Sequence, residues 1–280
     1  MNKTYYFLAG LPRSGNTLLS AILNQNPDIY STPLSPVNHF MWDTNNTLRQ
    51  IEHTTRNEEN KIRSKIFLSS FMDNFYKNVK EPVIIDREKM WGTPANLDLI
   101  KEYITPTPKI IFTVRDILEI IASFVKMDAD YLKHKAFNSN AYSLNYRLPK
   151  DIISEFVMSA GEDIDKSLLS LASAFYPENK GIFHIVEYND LVLKPEETMS
   201  KIYKFLDLPE HKHNFNKIEK VEVDNDSIIG LPKDLHDIRK SISQSTTSTD
   251  ILSDYIKQKY SNMEFWRKDS LIKVKGKDFL

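Results

Sequence analysis

Four short, nearly uninterrupted apolar runs constrain this chain most: Tyr5 to Leu11, Pro82 to Asp86, Lys109 to Val114 and Gly181 to Val186. A strand that is apolar at every position is covered on both faces, as in a parallel sheet. Helical patterns lie between these runs. Thr17 to Asn24 is apolar at 18, 19, 22 and 23, and Ile117 to Val125 at 117, 118, 120, 121, 124 and 125. Pro195 to Leu206 is amphipathic, with its proline in the first turn, where a missing N–H costs nothing. Ile62 to Tyr76 and Ile152 to Phe175 also read as helical, the second broken near Gly161. Gln244 to Asp250 is a Ser/Thr loop placed to cap a helix from Ile251 to Tyr260. Strands alternating with helices predict an α/β fold, a central parallel β-sheet flanked by helices on both faces.

Composition narrows the function. The 280 residues carry 37 Lys plus Arg against 38 Asp plus Glu, for a net charge of -1. A general nucleic-acid binder would show a basic excess. There are no cysteines, which removes a thiol nucleophile, a disulfide scaffold and a cysteine-based metal site. No apolar stretch is long enough to span a membrane, and the opening MNKTYYFLAGLPRSG shows no signal-peptide pattern. The expected location is therefore cytoplasmic, with no membrane span and no nucleic-acid partner. No repeat or domain-length linker interrupts the chain, so 1–280 reads as one domain.

Glycine is scarce, at seven residues, and two of the seven fall in the loop after the first apolar run. Residues 10–17 read GLPRSGNT, with Gly10, Gly15 and Thr17 at the Walker spacing GxxxxGK[ST] and Asn16 in place of the lysine. Such a loop turns backbone N–H groups inward, and the following helix adds its own unpaired N–H groups. The result is a cradle for phosphate or a related oxyanion, in a P-loop NTPase-like arrangement. A nucleoside triphosphatase needs the lysine for the β- and γ-phosphates. Here the cation is Arg13, inside the loop, which suits a different anhydride.

PRSGNT followed by LLSAIL resembles the 5′-phosphosulfate loop of sulfotransferases that use 3′-phosphoadenosine 5′-phosphosulfate (PAPS). It is most similar to the branch holding tyrosylprotein sulfotransferases and bacterial relatives. The resemblance implies that Arg13, Ser14, Gly15, Asn16 and Thr17 contact the 5′-phosphosulfate. It extends from Tyr5 to Pro209. In KIIFTVRDILEIIASF, Arg115 ends a strand and Ser123 follows eight residues later, so the two could grip one phosphate. They match the family's 3′-phosphate signature. HIVEYNDLVLKPEETMSKIYKFLDLP is similar to the family's Tyr-x-Asp-Leu segment, which places Tyr188 against the nucleotide. In IIDREKMWGTPANLDLI, Lys89 and Thr93 match a strand-end lysine and a loop threonine, with Arg87 a second candidate for the lysine's role.

The reaction so implied is sulfuryl transfer from PAPS to a hydroxyl or amine, leaving 3′-phosphoadenosine 5′-phosphate (PAP). Arg13 and Lys89 are the candidates for stabilising the departing phosphate. No metal is expected; the nearest thing to a ligand set is His211-x-His213. Tyrosylprotein sulfotransferases carry a catalytic glutamate after the loop helix, and counting without gaps from Arg13 puts Leu34 there. His39, Asp43 and Glu88 are the remaining candidates for a general base. This departure leaves the acceptor open, whether small molecule, glycan or protein side chain, and leaves the oligomeric state open.

The nucleotide-binding core is expected over 5–125 and 181–209, with 126–180 on the acceptor side and a helical or irregular segment over 210–280. Tyr131, Phe137, Tyr142 and Tyr146 are the aromatic candidates of the acceptor-side segment, in a loop expected over Ala129 to Lys150. Arg239, Ser241, Ser243 and the basic stretch 273–277 are candidates for approaching the nucleotide. Two other readings fit the same loop: a P-loop small-molecule kinase, and a non-catalytic nucleotide-binding protein of this fold.

Overall fold

The computed structural model describes residues 3–127, 133, 135–136, 149–219, 226–229, 241–242 and 247–267. Among the described residues five strands form one parallel sheet in the order β2-β3-β1-β4-β5. They are β1 (Thr4–Gly10), β2 (Ile29–Ser31), β3 (Val83–Arg87), β4 (Ile110–Val114) and β5 (Phe183–Glu187). Four match the apolar runs. The fifth, β2, is a three-residue edge strand too short to show any pattern of its own.

The helices that matter for the site are α1 (Asn16–Leu23), α2 (Val37–Gln50), α3 (Glu58–Ser69), α4 (Pro94–Tyr103), α5 (Ile117–Met127), α6 (Pro149–Val157), α7 (Asp163–Ala172), α8 (Tyr188–Leu193), α9 (Pro195–Leu206) and α10 (Asp254–Tyr260). Strand side chains alternate between faces, and β1 feeds two cores. Phe7 and Ala9 join Ile84, Ile110 and Phe112 beneath residues of α2, α4, α5, α6 and α7. Leu8 joins Ile85, Ile111 and Val186 beneath Leu19, Ile22 and Leu23 of α1 and Ile202 and Leu206 of α9. Both faces are therefore covered, as the uninterrupted runs require.

Some boundaries differ from expectation. The pattern over Ile62 to Tyr76 is two helices, α3 and a short one at Phe71–Phe75, with Asn57 capping the first. Gly161 does break the later pattern, at φ +82°, and its N–H donates to Asp165 Oδ2 at 2.8 Å. Pro149 and Lys150 already belong to α6 rather than to a loop. Ser248 caps only a short turn at Thr249–Ile251, and α10 starts later with Ser253 as its cap. Tyr131, Phe137, Tyr142, Tyr146, Arg239, Ser243 and residues 273–277 lie outside the described residues.

Strand order places the site. β1 is central, and the chain fills one side of it with β2 and β3 before crossing to β4 and β5 on the other. Ligands of open parallel sheets bind beyond the strand carboxyl ends at such a switch point. The loop after β1 lies there, between the ends of β3 and β4. Among the described residues, no helix is long and apolar enough to cross a membrane.

Candidate active site

The loop from Gly10 to Thr17 is bound tightly to β4. A Cβ at Gly10 would come within 2.1 Å of Thr113 Oγ1, so only glycine allows this approach. Ser14 Oγ lies 2.5 Å from the Leu11 carbonyl and 2.6 Å from Thr113 Oγ1. Asn16 Nδ2 donates to the same carbonyl at 2.8 Å, and its Oδ1 accepts from Thr113 Oγ1 at 2.7 Å. Both side chains are buried and form the frame of the loop. What these two residues offer an anion is their backbone.

Two residues turn that backbone into the left-handed region. Gly15 has φ +86° and is the N-cap of α1, with no side chain capping the helix. Arg13 has φ +61°, a strained value for a residue with a Cβ. Two bonds hold it. Its carbonyl accepts from Arg115 Nη1 at 3.1 Å, and its Nε donates to Ser123 Oγ at 3.1 Å. The expected pair Arg115 and Ser123 thus converge on Arg13, from the end of β4 and from α5.

Arg115 is buried and packed on several sides. Its Nε donates to Glu119 Oε2 at 2.8 Å, and its Nη2 reaches Thr247 Oγ1 at 3.3 Å. The Tyr188 ring lies 4.4 Å from the guanidinium carbon. The same ring packs on Gly15, where a Cβ would meet Cδ2 at 2.9 Å. Tyr188 therefore packs on both the loop and Arg115. Glu119 and Thr247 were not anticipated. Glu119 had a signal, four residues after Arg115 on a helix; Thr247 had none.

The end of β3 forms the other wall. Arg87 Nη1 donates to Thr17 Oγ1 at 3.1 Å and also bonds the Pro33 carbonyl. Lys89 instead pairs with Asp163 Oδ1 at 2.5 Å, on the rim. Arg87, not Lys89, is the β3 cation that touches the loop.

Glu88 is 3% exposed, and among the described residues its Oε1 has no hydrogen-bond partner. His39 Nε2 lies 3.8 Å from that oxygen. Asp43 is exposed on α2, one turn beyond His39. Leu34 is 59% exposed beside the end of β3, where the Ser35 N–H donates to the Arg87 carbonyl at 2.9 Å. Beneath Glu88, Asp86 is fully buried and accepts from Trp91 Nε1 at 2.7 Å and from the Tyr76 hydroxyl. Burial pushes its carboxyl above the usual range, against the pull of those bonds.

His211 and His213 lie away from this edge. His213 stacks on Tyr203 at 5.6 Å beside a groove of about 600 Å³ lined also by Val192, Pro195 and Ile242. Among the described residues no three His, Asp or Glu side chains group as metal ligands.

The sequence profile of the sulfotransferase family matches residues 6–212. The chain belongs to the sulfotransferase family. The match covers residues of all five strands and the loop after β1. The chain is 25% identical over 259 residues to a protein-tyrosine sulfotransferase of Drosophila melanogaster, covering 85% of this chain and 47% of that protein. The chain thus spans about half the length of that relative. The sulfotransferase domain of the curacin biosynthetic pathway superposes with a TM-score of 0.50 at 17% identity, over 92% of this chain and 97% of that one. The sulfotransferase domain of the Synechococcus PCC 7002 olefin synthase gives 0.51 at 19%, over 94% and 89%. These two likenesses establish the fold.

Proposed function

We propose that this chain transfers a sulfuryl group from PAPS to a hydroxyl or amine of an acceptor, releasing PAP. The observation that carries the reading is the convergence of Arg13, Ser123 and Arg115 at the loop after β1. One arginine stands inside an anion cradle and the other behind it. A donor with phosphates at two ends of one ribose asks for that arrangement.

The roles follow from charge and position. The uncapped first turn of α1 and the loop backbone hold the 5′-phosphosulfate. Thr17 and Arg87 close the cradle from the β3 side. Negative charge grows on the departing 5′-phosphate, and Arg13 and Arg87 lie where fixed positive charge lowers that barrier. Arg115 takes the 3′-phosphate and Tyr188 flanks the nucleotide. Glu88 is the general base: a buried carboxylate oxygen without a partner can accept the acceptor's proton, with His39 beside it at the rim. Lys89, held by Asp163, lies on the acceptor side.

Calorimetric titration with PAP, ATP and AMP, each with Mg²⁺ and with EDTA, tests the donor. The expected result is metal-independent PAP binding that is lost in Arg115→Ala. Preference for Mg·ATP with no PAP binding would replace this reading with a kinase. Transfer of labelled sulfate from PAPS in an acceptor screen then separates an enzyme from a binding protein.

A further inference from the structure

We propose that Glu119 is a positioning residue that aims Arg115, and so sets the preference for a donor bearing a 3′-phosphate. The inference rests on the reading above in one respect, that Arg115 takes that phosphate.

A guanidinium on a flexible stem does not hold a direction by itself. Arg115 is held on each side that the structure defines. Glu119 Oε2 lies 2.8 Å from both Nε and Nη2, so one carboxylate oxygen takes one edge of the fork. The Arg13 carbonyl takes Nη1 at 3.1 Å. The Tyr188 ring lies against one face at 4.4 Å, and Thr247 of the C-terminal segment adds a contact to Nη2 at 3.3 Å. Of these partners only Glu119 carries charge, and it comes from the helix that also carries Ser123. Position 119 thereby links the direction of Arg115 to the helix that orients the Ser123 hydroxyl.

An ion pair at (i, i+4) on an exposed helix would contribute little and would aim nothing. This one differs in burial: the Arg115 side chain is 6% exposed and that of Glu119 19%. Breaking a buried pair leaves a charge without compensation. Glu119 therefore stays with Arg115 when an anion arrives, and acts as a brace rather than as a competitor that the phosphate must displace. The carbonyl contact ties this brace to the left-handed turn at Arg13.

The test compares PAP with AMP, the same nucleotide without the 3′-phosphate, by calorimetry on the full chain. Wild type, Glu119→Gln, Glu119→Asp and Arg115→Ala are titrated. Glu119→Gln is expected to cut the PAP-to-AMP affinity ratio about tenfold, with AMP affinity changed less than about threefold. Glu119→Asp keeps the charge and is expected to recover a ratio between those of Gln and wild type. An unchanged or larger ratio in Glu119→Gln overturns the proposal, because Glu119 would then be a bystander or a competitor. Parallel loss of PAP and AMP binding also overturns it, since that marks a structural role. Arg115→Ala separates the two readings. If it keeps the wild-type ratio, the donor assignment itself fails.

Discussion

His39 Nε2 lies 3.8 Å from Glu88 Oε1, an exposed imidazole over a buried carboxylate oxygen that has no hydrogen-bond partner among the described residues. The carboxylate is fixed by its backbone, since the Glu88 N–H bonds the Leu8 carbonyl at 3.1 Å at the end of the sheet. As the proposed base, Glu88 would act on an acceptor and not on the donor nucleotide. Glu88→Gln is therefore expected to slow sulfuryl transfer about 100-fold or more while leaving PAP affinity within about threefold. His39→Ala is expected to slow transfer less, because the imidazole is solvated and beside the base. Single-turnover transfer with the first acceptor from the screen measures both. Full activity in Glu88→Gln would move the base elsewhere.

Arg87 and Lys89 are two residues apart in sequence but have different partners. Arg87 reaches Thr17 and the Pro33 carbonyl, whereas Lys89 reaches Asp163. Arg87→Met is expected to weaken PAP binding about tenfold to hundredfold, as loss of hydrogen bonds from a charged group does. Lys89→Met loses only a rim ion pair and should change PAP affinity less than about threefold. Titration calorimetry on the two variants decides between them. Equal losses would return Lys89 to the cradle.

Gly15 combines a positive φ with a close neighbour. At φ +86° an alanine is strained, and its Cβ would press on Tyr188 Cδ2 at 2.9 Å. Gly15→Ala is expected to cost roughly 1–3 kcal/mol of stability and to displace the ring that backs Arg115. Urea unfolding gives the first quantity and PAP titration the second. Wild-type values in both would mean that the loop relaxes freely.

Strands and the turn after β1 were legible because their signals are local. An apolar run buried on two faces looks the same wherever the strand lies in the sheet, and a tight strand-to-helix loop places its glycines at a fixed spacing. The family resemblance singled out Arg115, Ser123 and Tyr188, which lie around that loop. Side-chain partners were not legible in the same way. Ser14 and Asn16 turn inward because β4 brings Thr113 beside them, and no pattern in residues 10–17 encodes that neighbour. Ser123 meets Arg13 because the 13–15 turn carries that side chain towards α5. Lys89 leaves the loop for Asp163, 74 residues later, a contact set by how α7 packs. β2 was missed because three residues are too few for a periodicity.

His213 supplies a pH test that is independent of the active site. Burial, together with the adjacent His211, pushes its imidazole down to about 4. In the unfolded chain a histidine titrates near its ordinary value of about 6.5. Between these two values the unfolded state binds the proton and the folded state does not, so stability falls as the pH falls. The contribution is complete above about pH 6.5 and is lost progressively towards pH 4. Thermal unfolding should therefore show a drop in Tm from pH 7.5 to pH 5 that is smaller in His213→Gln, whose amide carries no titrating proton. The stack on Tyr203 makes some loss of Tm at pH 7.5 expected in the variant, so the slope is the informative quantity and not the absolute value. An identical slope in wild type and variant would mean that His213 is protonated in the folded protein as readily as in the unfolded chain.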